Sequence, residues 1–447
     1  MNGADLLASL PDGWRRVPLK TTCDFAVSNV DKHSFDGELS VRLCNYTDVY
    51  KNDRVSPDMD LMAATATPQE IERFHLEVGD VVITKDSESW NDIAVPAYVE
   101  GTADDFVCGY HLAFIRPRKE VLDGRFLFRC IQSRPVALQL ELEATGVTRY
   151  GLPKDAIGLA VLPLPPLTTQ AIIANYLDRE TARIDGLIAE KQRMLALLEE
   201  KRAALISRVV TRGLDPNTPL KPSGQEWLGE IPAHWDVCQL KRTWASSDYG
   251  LSESIRDEGD VAVLRMSCIV NGRVDISKSG MITEVDDHLL LRRDDLLFNR
   301  TNSLDQIAKV GLVDFDTEAP LTFASYLVRI RVNHRATPQY LVELLNASLF
   351  LEFARKNAIP AIGQANLNPT RYGEIQIPLP PIYEQEEMVA FLAADASTST
   401  PIREHIRNSI DLLKERRSAL ITAAVTGQIP LNEMQNLTKE PSCASIV

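Results

Sequence analysis

The chain has 447 residues, of which 45% are hydrophobic and 25% are charged. This composition is ordinary for a globular protein, and the length predicts two to four domains instead of one compact core. No run of about 18 apolar residues occurs, which argues against a transmembrane helix. The net charge of −14 does not by itself predict a nucleic-acid-binding protein.

The cysteine pattern and the N-terminal residues indicate a cytoplasmic protein. Seven cysteines are scattered along the chain without a CxxC pair: Cys23, Cys44, Cys108, Cys130, Cys238, Cys268 and Cys443. This spacing predicts reduced thiols, with neither a disulfide framework nor a zinc site. The opening stretch MNGADLLASLPDGW holds two acidic and no basic side chains, which argues against a signal peptide.

Two stretches, residues 1–166 (the first head) and 214–381 (the second head), are β-rich. Short runs such as VVIT, AFIR, LLF and LVRIRV are bounded by Gly, Pro, Asp or Asn, as strands usually are. One helix is predicted near residues 124–144, interrupted at Pro135. Its counterpart at 338–356 is predicted to be a helix without a break. Each head is therefore predicted to be α+β.

A helical stretch follows each head, at residues 167–213 (the first stem) and 382–430 (the second stem). Gly213 and Gly427 lie where glycine often ends a helix. Apolar residues recur at alternating steps of four and three, which predicts a heptad seam with polar insertions. The predicted seam positions are Ile173, Leu177, Glu180, Ile184, Leu187, Lys191, Met194, Leu198, Lys201 and Leu205, then Met388, Leu392, Asp395, Ser399, Ile402, Ile406, Ser409, Leu413, Arg416 and Leu420.

The stems are long for a globular protein. A helix of some 40 residues is roughly 60 Å long, and neither stem has enough core around it to be stable alone. We therefore expect the two stems to pair with each other, antiparallel, and to hold the heads apart. Residues 431–447 are predicted to be a disordered tail.

The chain is one module written twice. LPLPPLTTQ at 162–170 matches IPLPPIYEQ at 377–385, an offset of 215 residues. LLEEKRAALISRVVT at 197–211 matches LLKERRSALITAAVT at 412–426 at the same offset. HLAFIR at 111–116 pairs with YLVRIR at 326–331, although the heads diverge strongly elsewhere. Such a repeat predicts stems that share one task and heads that have different targets.

Motifs for catalysis are missing from the sequence. The adenine methyltransferase pattern (N/D)PP(Y/F) has only a poor match at 368–370, and no P-loop occurs. The nuclease-like ExK string at 199–201 is predicted to be a solvated face of the first stem. The seven histidines do not fall at metal-ligand spacing, and His111 is predicted to be structural. We expect a non-catalytic chain that carries no cofactor.

Three motifs resemble those of the specificity subunits of type I restriction–modification systems. They are the junction RGLDPNTPLKPSGQEWLGEIPAHW at 212–235, TRYGLPKDAI at 148–157, and the PLPPxxxQ start of each stem. The resemblance covers about residues 10–430 and is most specific at the junction and the stems. The first stem departs from it, since it reads TTQ where the family more often has an acidic residue before Gln170. The tail at 431–447 has no counterpart.

This resemblance implies an α+β fold with two β-rich target-recognition domains, at 1–166 and 214–381. The two long helices, at 167–213 and 382–430, pair as an antiparallel coiled coil in a pseudo-two-fold internal repeat. Each head of such a subunit reads one half of an asymmetric, gapped DNA site. The helices set the gap and dock two methyltransferase subunits, and motor–nuclease subunits join them.

The implied partners are therefore double-stranded DNA and these subunits, with no membrane. S-adenosylmethionine, ATP and Mg are implied for the partner subunits, which can also supply much of the phosphate neutralisation. The alternative is a protein-interaction scaffold without DNA specificity, whose heads bind proteins and whose stems dimerise. We regard it as the weaker reading because homodimer stems do not usually recur inside one chain.

Polar and basic residues at aligned loop positions of the two heads are candidate DNA contacts. Arginine suits guanine, asparagine and glutamine suit adenine, and lysine suits a phosphate. The alternative is that the residues at these positions are ordinary turn residues or loop caps without a role in binding. The candidates are Lys85, Asp86, Ser87, Thr148, Arg149, Tyr150, Lys154, Arg300, Thr301, Asn302, Gln364 and Asn366. The aligned Trp14 and Trp235 are predicted to anchor the domain cores.

Overall fold

The computed structural model describes residues 7, 9–253, 255–316, 319–361 and 364–436. The chain divides into two compact units, residues 1–192 with 407–447, and residues 193–406. Each unit contains one head and a part of both stems. Stems and heads are separate segments of the sequence, but each compact unit combines them, because the ends of the stems pack on the heads.

The first head contains strands β1 (Arg15–Pro18), β2 (Cys23–Val27), β3 (Leu39–Cys44), β4 (Arg54–Val55), β5 (Met62–Ala66), β6 (Val81–Thr84), β7 (Asp86–Ser87), β8 (Pro96–Val99), β9 (Phe106–Cys108), β10 (Leu112–Pro117), β11 (Thr145–Gly146), β12 (Tyr150–Gly151) and β13 (Val161–Leu164). Among the described residues they form a five-stranded sheet in the order β2-β10-β6-β8-β4 and two three-stranded sheets, β5-β3-β9 and β11-β12-β7. β1 pairs with β13, so the head begins and ends at the start of the first stem.

The helices of this half are α1 (Tyr46–Lys51), α2 (Pro68–Phe74), α3 (Gly124–Gln132), α4 (Arg134–Leu142), α5 (Lys154–Leu159) and the long α6 (Leu167–Arg212). The predicted interruption near Pro135 is confirmed: Ser133 is extended, with ψ 142°, and Pro135 lies in the first turn of α4. Proline is tolerated there because the first N–H groups of a helix have no intrahelical partner.

The second head contains strands β14 (Leu220–Pro222), β15 (Glu230–Pro232), β16 (Asp236–Gln239), β17 (Trp244–Tyr249), β18 (Val261–Leu264), β19 (Ile269–Val270), β20 (Arg273–Val274), β21 (Gly280–Ile282), β22 (Leu296–Asn299), β23 (Thr301–Asn302), β24 (Val310–Leu312), β25 (Leu321–Phe323), β26 (Leu327–Val332), β27 (Ile359–Ala361), β28 (Gln364–Asn366) and β29 (Gln376–Leu379). Over the described residues, six strands form the sheet β17-β26-β22-β24-β20-β19, and β21-β18-β25 and β23-β28-β27 form smaller sheets. β16 pairs with β29, which repeats the closing pair of the first head.

The helices of this half are α7 (Pro338–Asn346), α8 (Ser348–Lys356), α9 (Pro369–Glu374), the long α10 (Ile382–Val425) and α11 (Leu431–Asn436). The prediction of an unbroken helix over 338–356 is wrong, because Ala347 is extended, with ψ 139°. The Asn346 amide donates to the carbonyls of Val342 and Val310 and accepts from the Val310 N–H. This helix end is thus tied to a neighbouring strand, which no local pattern in the sequence encodes.

The predicted seam of the first stem is correct near its start and wrong in its middle. Ile184 is buried, whereas Leu187 and Met194 are 40% and 48% exposed. The half-buried positions are Ile188 and Leu195, one residue later in each case. In a straight helix, positions spaced by seven residues rotate by about 20° per heptad around the helix axis. Seam positions predicted from a strict seven-residue repeat therefore move away from the buried face along the helix. The other predicted seam positions that the structure exposes are Lys201, Ile402 and Arg416.

Within each unit the two long helices run antiparallel. In the first unit Arg417 of α10 pairs with Asp185 of α6 at 2.9 Å. Nearer the start of α6, Ile173 and Leu177 share a hydrophobic core with Ile421, Ala424 and Val425, nearer the end of α10. In the second unit, in the same way, Arg202 pairs with Asp395 at 3.6 Å, while Val209 and Val210 share a core with Met388 and Leu392.

The repeated PLPPxxxQ motif attaches each stem to its head. The fully buried Gln170 accepts from the Asp123 N–H and donates to the carbonyls of Val121 and Pro165. The equally buried Gln385 accepts from the Thr337 N–H and donates to the carbonyls of Arg335 and Pro380. Both glutamines satisfy backbone groups that would be costly to bury unpaired.

The predicted disordered tail begins too early. Residues Leu431–Asn436 form α11, and Met434 is buried in the core of the first unit, with Leu431 and Ile429 packed beside it. The apolar residues of this turn are buried by tertiary contacts that the sequence analysis did not anticipate. The rest of the predicted tail, residues 437–447 with Cys443, lies outside the described residues. None of the helices that the structure describes is long and apolar enough to cross a membrane.

Candidate nucleic-acid interface

Two separate stretches of candidates meet in the first head. Strand β7, which contains Asp86 and Ser87, pairs with β12, and Tyr150 lies opposite Ser87. Lys85 directly precedes β7, while Thr148 and Arg149 lie exposed in the turn before β12. We call Lys85, Asp86, Ser87, Thr148, Arg149, Tyr150 and their neighbours Tyr110 and His111 the first cluster.

Charge in the first cluster is partly neutralised within it. The Asp86 carboxylate accepts from Nδ1 of His111 at 2.5 Å and lies 3.1 Å from Nζ of Lys85. Nη2 of Arg149 lies 3.4 Å from both ring nitrogens of His111, and no carboxylate lies within ion-pair distance of Arg149 in the described part of the chain. Arg149, and not Lys85, is therefore the cation of this cluster whose charge is not neutralised by a carboxylate.

The candidates of the second head meet in the same way. Strand β23, Thr301–Asn302, pairs with β28, and Thr301 lies opposite Asn366. The Asn366 side chain donates to the Thr301 hydroxyl at 3.0 Å, and Gln364 at the start of β28 is exposed. We call Arg300, Thr301, Asn302, Gln364, Asn366 and the nearby Tyr249 and Tyr326 the second cluster.

Arg300 is held differently from Lys85. Its guanidinium carbon lies 5.2 Å from the ring centroid of Tyr249, and its Nη1 donates to the Ser325 carbonyl at 3.4 Å. Its Nε is buried and has no hydrogen-bond partner within the described part of the chain. No acidic side chain forms an ion pair with Arg300 among the residues described, so this cation retains its charge for an external acceptor.

The two clusters share one backbone frame. The Lys85 N–H donates to the His111 carbonyl, and the Lys85 carbonyl accepts from the Leu152 N–H, both at 2.8 Å. In the second head the Arg300 N–H donates to the Tyr326 carbonyl at 3.1 Å, and the Arg300 carbonyl accepts from the Leu367 N–H at 2.8 Å. Equivalent positions thus present different side chains on the same scaffold.

One candidate lies apart from the first cluster. Lys154 begins α5, and its Nζ lies 6.0 Å from the ring centroid of Phe25 on β2. Its surroundings therefore differ from those of the residues on β7 and β12. Its counterpart at the offset of 215 is Pro369, so the second head has no cation there.

Tyr150 was a predicted candidate, but the other three tyrosines of the clusters could not be picked out from the sequence. Tyr110 is 47% exposed, Tyr249 53% and Tyr326 46%. His111, predicted to be structural, bonds Asp86 and has a left-handed φ of 71°, a conformation that non-glycine residues rarely adopt outside special sites. The alignment of His111 with Tyr326 was the one available signal, because both residues directly precede an apolar strand.

A second aromatic pair lies beside the first cluster. The rings of Tyr46 and Tyr50 on α1 stack at 5.5 Å, and the Tyr50 hydroxyl donates to Asp92 at 2.7 Å. Burial raises the pKa of Tyr46, and a hydrogen bond with Ser87 lowers it less. Tyr46 is therefore a neutral group at neutral pH that borders the candidates on β7.

The fold and the clusters define a class of protein: a duplicated two-headed molecule whose heads carry matched but chemically different polar surfaces. Residues 235–412 match the family described as the type I restriction modification DNA specificity domain. A solved structure from work on complex assembly and conformational transition of the type I R-M system is similar in fold, with a TM-score of 0.68 at 17% identity, over 94% of this chain and 100% of that chain.

Two curated relatives are similar along most of the chain. The specificity subunit of the type I restriction enzyme EcoKI of Escherichia coli (strain K12) is 24% identical over 361 residues, 78% of this chain and 75% of the relative. That of StySPI of Salmonella potsdam is 20% identical over 431 residues, 94% of this chain and 90% of the relative. Over residues 235–412 the chain matches the model of this family, and along most of its length it is similar to curated specificity subunits of type I restriction enzymes. The predicted fold class is confirmed.

Proposed function

We propose that this chain is the non-catalytic DNA-reading subunit of a type I restriction–modification complex. Each head reads one half of an asymmetric, gapped site, the stems set the gap and dock two methyltransferase subunits, and motor–nuclease subunits complete the enzyme. The observation that carries the proposal is the shared backbone frame around Lys85 and Arg300. A common frame with unlike side chains is what two readers of unlike half-sites require.

The side chains of the clusters suit base recognition. Arginine donates two hydrogen bonds to guanine, and asparagine or glutamine exchanges two with adenine. Arg149 is the available cation of the first cluster. In the second cluster Arg300 suits recognition of guanine, and Gln364 and Asn366 suit recognition of adenine. Lys154 is assigned to a phosphate. Lys85 is assigned to one as a weaker contact, because Asp86 already pairs with its ammonium group. Phosphate contacts position a protein on DNA without specifying its sequence.

The chemistry of the complex is assigned to the partners. S-adenosylmethionine belongs to the methyltransferase subunits, and ATP and Mg to the motor–nuclease subunits. The net charge of −14 fits this division, since the partners then supply much of the positive surface that phosphates require.

Reconstitution tests the proposed division of labour. The purified chain with S-adenosylmethionine is expected to methylate no DNA, because the transfer chemistry resides on the partner, and to support methylation once the methyltransferase subunit of its own complex is added. The measurement is methyl transfer to genomic DNA, followed by sequencing of the methylated motif, with the methyltransferase subunit alone as the control. Methylation by the isolated chain, or a motif without a gap, would contradict the proposal.

Lengthening both stems tests the spacing role. Seven residues inserted after Gln192 and seven after Arg407, equivalent positions at the offset of 215, preserve a heptad seam. Seven residues add about 10 Å of helix, or about three base pairs at 3.4 Å each. We expect a gap longer by about that number with both half-sites retained, read by methylome sequencing. An unchanged gap would refute the spacing role.

A further inference from the structure

Among the residues that the structure describes, Arg300 has no carboxylate partner, in contrast to Arg329 and Arg331 of the same sheet. Arg329 on β26 is 2% exposed, and its Nη2 donates to Asp248 at 2.6 Å. Arg331 on the same strand pairs with Asp295 at 2.9 Å. These two guanidinium groups are neutralised inside the fold. Arg300, at the end of β22, lies instead against the ring of Tyr249.

The ring of Tyr249 is itself placed firmly. Tyr249 ends β17 and lies opposite Val328 of β26. The next residue, Gly250, packs against the backbone of the segment around Ala324. A Cβ on Gly250 would lie 2.3 Å from the Ala324 carbonyl oxygen. Only glycine permits that approach. The backbone on either side of the tyrosine is therefore fixed, although 53% of Tyr249 is exposed.

The backbone of Arg300 is fixed as well, by its hydrogen bonds to Tyr326 and Leu367. The long side chain is held less firmly, by the Tyr249 ring and by one long hydrogen bond from Nη1 to the Ser325 carbonyl. Arginine loses considerable rotamer freedom when it is ordered. A guanidinium over an aromatic face is attracted to the ring within about 6 Å. The 5.2 Å separation from Tyr249 therefore restricts the guanidinium fork before any ligand is bound.

We infer that Tyr249 is a positioning residue that orients Arg300 for a guanine in the half-site read by the second head. This inference rests on the proposed function and deepens it. The paired donors of the guanidinium match the two acceptors that guanine presents in the major groove. The Tyr249 ring and the Ser325 carbonyl contact the guanidinium, and the hydrogens of Nη2 and the second hydrogen of Nη1 are the donors assigned to the base.

The first head offers a contrast within the same molecule. Nζ of Lys85 lies 5.8 Å from the ring centroid of Tyr110, but Asp86 pairs with that ammonium group. A lysine that is already paired, with a single charged nitrogen, has no fork to orient. The aromatic support under Arg300 is thus a property of the second cluster.

The test uses the full chain co-expressed with its methyltransferase subunit, read by methylome sequencing. Arg300→Ala is expected to relax one G·C pair in one half-site, lowering discrimination there by about 5- to 150-fold. Tyr249→Leu is expected to relax the same base pair by about 2- to 5-fold. Tyr249→Phe keeps the ring and is expected to restore the wild-type motif, because the aromatic face supplies the attraction.

Three controls separate the possible outcomes. Arg149→Ala, in the first cluster, is expected to alter only the other half-site. Ile276→Ala changes an exposed apolar residue of the same head that lies outside the second cluster, and is expected to leave the Arg300 base pair unchanged. Tyr249→Met repeats the loss of the ring with a flexible side chain, in case Tyr249→Leu fails to fold.

The results that overturn the inference are distinct. If Arg300→Ala relaxes a base pair and the Leu and Met variants of Tyr249 do not, the positioning role is wrong. If the relaxed pair is not G·C, the assigned base is wrong. A motif unchanged by both Arg300→Ala and Arg149→Ala would instead remove these clusters as reading surfaces, and the proposed function would lose its supporting observation together with the inference.

Discussion

Replacing Asp178 by alanine is expected to lower the free energy of unfolding of the first unit by about 3–5 kcal/mol, because it leaves a buried cation without its main partner. Arg129 on α3 is 3% exposed, and its Nη2 donates to Asp178 and to Thr181 of α6, both at 2.9 Å. Burial lowers the pKa of Arg129, and Asp178 offsets part of that loss. An arginine nevertheless remains charged at neutral pH.

Asp178 also serves the head more widely. Arg125 and Arg54 approach the same carboxylate at 3.5 and 3.3 Å, so its loss leaves three guanidinium groups with less compensation. The network joins α3 and β4 to the first stem within one unit. Its removal is therefore expected to loosen the attachment of the first head to its own part of the stem.

Urea unfolding of the purified chain measures the effect, with Asp395→Ala as the matched control. Asp395 pairs with Arg202 at 3.6 Å, and both side chains are partly exposed, so that loss is expected to stay within about 1 kcal/mol. Adding Arg129→Met to Asp178→Ala is expected to recover stability, since an apolar side chain removes the unpaired charge. Equal losses of unfolding free energy for Asp178→Ala and Asp395→Ala would show that the buried pair stabilises the fold no more than the partly exposed one.

Replacing Trp235 by alanine is expected to cost about 3–5 kcal/mol in the second unit, as large aromatic truncations in cores do. Trp235 is fully buried, and its Nε1 donates to Glu384 at 2.8 Å. Its ring packs at the end of α6, where a Cβ on Gly213 would lie 3.3 Å from it. The tryptophan thus covers the end of one stem and bonds the first turn of the other.

Trp14 is the internal control, because it has the same place in the repeat with less support. A Cβ on Gly427, at the end of the second stem, would lie 3.3 Å from its ring, but Trp14 is only half-buried. The residue aligned with Glu384 is Thr169, which has no carboxylate to offer. Trp14→Ala is therefore expected to destabilise the chain less than Trp235→Ala in thermal unfolding. The reverse order would contradict the assigned roles.

The same contact gives the Trp235 prediction a pH dependence. Burial raises the pKa of Glu384, but hydrogen bonds from Trp235, His234 and Tyr383 outweigh it and hold the pKa below its usual 4.5. Because the folded pKa is below the unfolded one, this stabilisation is present above pH 4.5 and is lost as the pH falls through the folded pKa. Trp235→Phe removes the hydrogen bond together with part of the buried ring. The hydrogen-bond share of its loss, about 1.5–3 kcal/mol at neutral pH, is expected to shrink in acid, whereas the packing share stays.

The sequence alone determined the features that depend on local pattern and on self-similarity. The offset of 215 residues identified the duplicated module, and the apolar periodicity predicted long helices where α6 and α10 lie. The PLPPxxxQ motif at the start of each stem is visible in the sequence, although the role of its glutamine is not. The break in the helix near Pro135 was predictable, because proline lacks a backbone N–H and its ring clashes with the preceding turn of a helix.

Only the tertiary structure decided the features that depend on residues distant in the chain. The break at Ala347 follows from bonds between Asn346 and Val310. Tyr150 lies opposite Ser87 only because β7 pairs with β12. Tyr249 lies under Arg300 because β17 and β22 flank β26 in one sheet. Periodicity is encoded in neighbouring residues, whereas sheet pairing and cation placement depend on which segments pack together, and that information is spread over the whole fold.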